Sequence, residues 1–206
     1  MPHPLLSAVD ALLIDLDGTL VDSTAPVTRA WAGFAERLGL DPVAVMRYAQ
    51  GRPSDETIAD LAPPERRAEE AAAVEHSEVH DTDGVRALPG AEAILRSGRP
   101  LAIVTSCSAA LANARLSAAR LPTPEHIVSY DDVRRGKPDP ECFLLGARRL
   151  GVPPSRCLVL EDAPTGIAAG RAAGARVLAV RTTHPDRELR DADAIVDDLS
   201  ALLRSA

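Results

Sequence analysis

Ala11-Leu12-Leu13-Ile14-Asp15-Leu16-Asp17-Gly18-Thr19 is an apolar run that stops at two carboxylates and a glycine turn. Four consecutive apolar residues of this kind read as a strand buried on both faces, as in a parallel sheet. Side chains two positions apart on a strand point the same way, so Asp15 and Asp17 are expected to face one site. Neighbouring carboxylates repel, and such a pair needs a cation, a shared proton or a cluster of donors.

Further apolar runs at Leu101–Val104, Leu158–Leu160 and Val177–Val180 read as companion strands, with weaker ones at Ile127–Ser129 and Ala194–Val196. Between the later runs lie helical stretches at Ala91–Ser97, Ala109–Ala119, Pro140–Leu150 and Thr165–Ala173. The alternation predicts an α/β fold, a Rossmann-like three-layer core around a mainly parallel sheet with right-handed crossovers. Residues 22–83 break the pattern: they are rich in Ala, Glu and Arg and hold no convincing strand. They read as a helical cap inserted after the first strand, leaving residues 1–21 and 84–206 as the catalytic core. A cap so placed would lie over the C-terminal ends of the strands, the edge at which open α/β sheets bind ligands.

The 206 residues suit one sizeable domain with a modest insertion. A net charge of −7 argues against a nucleic-acid groove and against an anionic membrane surface. Cys107, Cys142 and Cys157 form no close pair, which suggests reduced thiols and a cytoplasmic setting. No signal peptide and no apolar run of membrane-spanning length is evident, and no extended apolar seam suggests an oligomer, so a monomer is expected.

Three more groups fall at the same predicted edge. Thr105-Ser106-Cys107-Ser108 places hydroxyls just before a helix, where free N–H groups suit a phosphate. Gly136-Lys137-Pro138-Asp139-Pro140 puts a lysine on a loop stiffened by prolines, and Glu161-Asp162 ends a strand. Mg²⁺ takes oxygen ligands, usually a few carboxylates, waters and a substrate phosphate. Carboxylates from two strand ends would hold it, while Lys137 and the hydroxyls neutralise the remaining charge. One aspartate is then free to attack phosphorus and the other to move protons; we read Asp15 as nucleophile and Asp17 as acid–base. Gly18 comes too early for a calcium loop, and Gly136-Lys137 lacks the hydroxyl and upstream glycine of a nucleotide-binding loop.

Asp15-Leu16-Asp17-Gly18-Thr19, Thr105, Lys137 and Glu161-Asp162 resemble, in order, the four motifs of the haloacid dehalogenase superfamily of phosphohydrolases. Asp22-Ser23, Gly51-Arg52-Pro53, Leu88-Pro89-Gly90-Ala91 and Glu161–Gly166 are similar to its sugar-phosphatase and β-phosphoglucomutase-like branch, and residues 22–83 to its small helical cap. The resemblance implies that Asp15 forms an aspartyl-phosphate while Asp17 protonates the leaving oxygen and then activates water. It implies Mg²⁺ bound by Asp15, the Asp17 backbone carbonyl and Asp162, with Glu161 supporting the metal shell. Thr105, Ser106 and Lys137 would hold the phosphate. Asp17 argues against the dehalogenases themselves, which lack that second aspartate.

The expected activity is hydrolysis of small sugar or polyol phosphates. The alternatives are a sugar phosphomutase sharing every core residue and a non-enzymatic phosphosugar-binding protein. Arg52 is a candidate substrate contact, since its planar fork grips hydroxyls or phosphate; the plainer reading is an exposed turn. His76 and His80 are four apart but lack the adjacent glutamate of a zinc-protease helix, so a solvated or packed helix face is expected. Cys107 reads as a small packing residue, and Trp31 as an anchor of the cap.

Overall fold

The structure, a computed structural model, describes residues 3–49 and 54–203. Its strands in chain order are β1 (Ala11–Ile14), β2 (Val21–Asp22), β3 (Arg86–Ala87), β4 (Leu101–Val104), β5 (His126–Val128), β6 (Cys157–Glu161), β7 (Arg176–Val180) and β8 (Ala194–Val196). Six of them form a parallel sheet in the order β5-β4-β1-β6-β7-β8. All four residues of β1, the opening apolar run, are fully buried, as a strand covered on both faces requires. From β1 the order runs through β4 and β5 in one direction and through β6, β7 and β8 in the other. The reversal therefore lies beside β1, where open α/β sheets form their ligand crevice.

The helices are α1 (Pro4–Ser7), α2 (Thr24–Leu38), α3 (Pro42–Ala49), α4 (Ser54–Leu61), α5 (Arg67–His80), α6 (Ala91–Leu95), α7 (Ala109–Ala118), α8 (Glu141–Leu150), α9 (Pro164–Ala172) and α10 (Asp186–Leu189). On one face of the sheet Ala11, Leu13, Val104, Val128 and Val159 share a core with Phe143 and Ala147 of α8 and Ile167 and Ala169 of α9. The alternate residues Leu12, Ile14, Ile103, Leu158 and Leu160 are also fully buried, so the second face is covered too. Each such side chain contributes about 1.5–3 kcal/mol of burial, and Leu13→Ala would cost about 2–5 kcal/mol with its cavity. Helix α8 starts one residue later than its sequence suggests. Pro140 occupies the cap position, and the Asp139 carboxylate accepts the Glu141 N–H at 3.0 Å.

The chain divides into two compact units, Met1–Asp22 with Arg86–Ala206, and Ser23–Val85. In the second unit, α2 buries Ala30, Trp31, Phe34 and Ala35, spaced as one helical face. They pack with Val45, Ala49, Ile58 and Val74 from the following helices. Trp31 meets Phe34 edge-on, ring centroids 5.3 Å apart, and so anchors this core. His76 and His80 are exposed, their rings 4.0 Å apart. The sequence reading missed the short antiparallel ribbon in which β2 and β3 pair Asp22 with Arg86, because two-residue strands carry no periodicity. Among the described residues no helix is long and apolar enough to cross a membrane.

Candidate active site

The residues just past the C-terminal ends of β1, β4 and β6 meet at the reversal of strand order. Asp15 follows β1 directly, its N–H donating to the Leu160 carbonyl at 2.9 Å. The Lys137 ammonium reaches Asp15 Oδ1 and Glu161 Oε1, each at 2.6 Å, and the Val104 carbonyl at 3.1 Å. One lysine thus joins three strand ends. Asp15, Glu161 and Asp162, all buried, each offer a carboxylate oxygen within 4.8 Å of the others.

Glu161 is fixed from its other side by the N–H groups of Asp162 (2.9 Å) and Ala163 (3.0 Å) at the entry to α9. Gly166 makes room for it: a Cβ there would stand 1.7 Å from Glu161 Oε1. Gly18 does the same for Asp162. Its φ of +80° favours glycine, and a Cβ would come within 2.2 Å of Asp162 Oδ2. The hydroxyls of Thr19 (3.4 Å) and Thr183 donate to the Asp162 carboxylate, and Thr182 donates to the Gly18 carbonyl.

Three acids face one lysine, and burial makes that imbalance costly. Burial raises Asp15 to about 7 despite the opposing Lys137 charge. It raises Asp162 well above the usual carboxylate range, aided by the negative charges of Glu161 and Asp15. For Lys137 burial acts downward, but Asp15 and Glu161 outweigh it and hold the ammonium above the ordinary lysine range. An all-oxygen, acid-rich cluster of this kind fits a hard divalent cation.

Thr105 is buried, its hydroxyl accepting the Cys107 N–H at 3.1 Å. The cap of α7 is instead Ser108, which accepts the Leu111 N–H at 3.2 Å. Ser106 is exposed at the loop tip. Asp17 departs from the strand argument. The chain leaves β1 after Ile14, so alternation no longer governs residue 17. Its Oδ2 accepts from Arg115 of α7 and from the Cys107 thiol at 2.9 Å, rather than joining the acidic trio. Burial pushes the Cys107 thiol up, with the Asp17 charge adding to it.

The structure therefore brings Asp15, Lys137, Glu161 and Asp162 into direct contact or near it, with Thr105 on the strand end beside them. Arg52 lies outside the described residues. The sequence reading passed over Arg115, Thr182 and Thr183. For Arg115 a signal existed, a charge in the same helical stripe as Leu111, Ala112 and Leu116. The two threonines follow β7 as an ordinary loop and carry no such mark.

A haloacid dehalogenase-like hydrolase family model matches residues 9–174. The chain is 42% identical to hexitol phosphatase A of Escherichia coli over 197 residues, 92% of this chain and 91% of that protein. It is 35% identical to validoxylamine A 7'-phosphate phosphatase of Streptomyces hygroscopicus over 201 residues, 91% of this chain and 93% of that one. Among solved structures, a hydrolase from Pseudomonas syringae superposes with a TM-score of 0.83 at 27% identity, covering 95% of this chain and 96% of the other. The motif order, the sheet reversal beside β1 and these likenesses agree: the chain belongs to the haloacid dehalogenase-like hydrolases.

Proposed function

We propose that the chain is a Mg²⁺-dependent phosphatase of small phosphorylated polyols and sugars, working through an aspartyl-phosphate on Asp15. Within its family it is a phosphoric monoester hydrolase, and its relatives include a hexitol phosphatase. The observation that carries the reading is the buried surplus of acid around Lys137 at the sheet reversal. A site built for an uncharged ligand would have no use for it.

In this reading Lys137, Thr105 and Ser106 hold the phosphate oxygens. An Asp15 oxygen attacks phosphorus, the bond to the bridging oxygen breaks, and Asp17 gives that oxygen its proton. Asp17 then takes a proton from water as the water oxygen attacks phosphorus and Asp15 leaves as a carboxylate. Asp15, Asp162 and the Asp17 carbonyl, supported by Glu161, are the groups to hold the metal. Mg²⁺ there supplies neutralisation of the charge on the transferring phosphoryl group. We assign substrate discrimination to the helical unit, with Arg52 as a candidate contact, and expect a cytoplasmic monomer that binds no nucleic acid.

The test is phosphate release from hexitol, hexose and pentose phosphates with Mg²⁺, run beside an assay for sugar-phosphate isomerisation. Release from a hexitol or hexose phosphate supports the reading. Isomerisation without release would turn it into a mutase, and binding without either reaction into a sensor.

A further inference from the structure

Asp17 Oδ2 is held from a helix. Arg115 Nη1 donates to it, the Cys107 thiol donates to it at 2.9 Å, and the same Nη1 donates to Cys107 Sγ at 2.8 Å. Guanidinium, thiol and carboxylate thus close a triangle. The Arg115 side chain is 4% exposed, that of Asp17 28%. Burying a guanidinium is costly, and the neighbouring positions on the buried face of α7 are Leu111, Ala112 and Leu116. Packing alone would be served by another apolar residue.

The placement has a second aspect. Asp17 lies beyond the end of β1, in an isolated bridge with Val21, so the alternation of the main sheet does not fix its side chain. Helix α7 begins directly after Thr105–Ser108, the loop read here as holding the phosphate. One rigid element therefore carries both that loop's exit and the group that grips Asp17.

We propose that Arg115 is a positioning residue for the hydrolysis: it fixes the Asp17 carboxylate where that group exchanges a proton with the bridging oxygen and with water. The inference rests on the reading of Asp17 as the acid–base. The planar guanidinium holds a carboxylate in one orientation, as a flexible ammonium does not. A small displacement of a proton-transferring group costs rate without costing binding.

The experiment measures kcat and KM for sorbitol 6-phosphate in Arg115→Met and Arg115→Lys, each in the wild-type and the Asp17→Asn background. Thermal melts establish that each variant is folded. In the wild-type background Arg115→Met is expected to lower kcat about 10²-fold with KM changed less than about threefold, Arg115→Lys falling between the two. In the Asp17→Asn background neither substitution should lower kcat further, because the group it acts through is already gone. Equal losses in both backgrounds would make Arg115 a packing residue and overturn the proposal, as would a wild-type kcat in Arg115→Met. If Arg115→Met does not fold, Arg115→Lys decides by the same comparison. A wild-type protein that leaves sorbitol 6-phosphate and p-nitrophenyl phosphate intact would overturn the phosphatase reading itself. A wild type that is active, with indifferent Arg115 variants, overturns only this inference.

Discussion

Each compact unit has a buried charge cluster, and the two are built on opposite stoichiometries. In the helical unit Glu70 is fully buried and accepts from Arg37 at 2.9 Å and Arg66 at 2.5 Å. Both guanidiniums stay about a third exposed, so one acid is answered by two bases that keep their contact with water. At the sheet edge Lys137 is answered by Asp15 and Glu161, with Asp162 beside them, and the side chains of all four are at least nine-tenths buried. The first cluster is complete as it stands. The second has more negative charge than its own residues can balance, and Asp15 and Asp162 show the strain as raised proton affinity. The excess charge of the first is left in contact with water, whereas the excess of the second is buried.

The contrast is broken most severely by changing Asp15. Asp15→Asn should lower turnover by about 10⁴-fold or more, the loss seen when a covalent nucleophile is removed, while the melting temperature is kept or rises because a surplus charge is gone. Near-normal turnover in that variant would end the nucleophile assignment. Lys137→Met removes the one base and leaves three buried acids without an answer. A loss of about 3–5 kcal/mol is expected in denaturant unfolding without metal, and an unchanged midpoint would mean the cluster is wetter than it looks.

Glu70→Gln tests the cluster of the helical unit. Its guanidiniums can turn to solvent, so a smaller cost of about 1–3 kcal/mol is expected, with kcat unaltered. A larger effect on kcat than on unfolding would contradict a purely architectural role.

The smallest effect separates the clusters by pH. Asp15 is raised to about 7, so the folded chain keeps a proton that the unfolded chain loses near pH 4. The stability from that proton is full below about pH 4 and is lost as pH rises through 7, while Lys137 stays charged throughout. A divalent cation offsets the loss where the acids are ionised. Calorimetry should therefore find Mg²⁺ raising the melting temperature more at pH 8 than at pH 5, by a few degrees. Equal shifts at both would cut the link between the acid surplus and the metal.

Much of this was legible from residue order. The continuous apolar runs gave the central strands because both faces of the sheet are covered; Asp15 and Glu161-Asp162 stand where those runs end, and Lys137 on the proline-stiffened loop before α8. The placement of Asp17 was not legible: strand alternation stops at Ile14, and its partners lie about a hundred residues away in sequence. Nothing in the residue order marks Glu70 or its two arginines, since burial of a single position leaves no trace in composition. Arg115 was visible only as an irregularity in an apolar stripe.

The ribbon of β2 and β3 has a practical side. Asp22 and Arg86 face each other as antiparallel partners, joined further by an ion pair of 2.6 Å. To the sheet, everything between them is the contents of a hairpin loop. A two-residue turn such as Asn-Gly is enough to join partners of that kind. Residues 23–85 are thus an exchangeable cassette, to be deleted or replaced by the corresponding segment of a relative without rethreading any strand of the sheet.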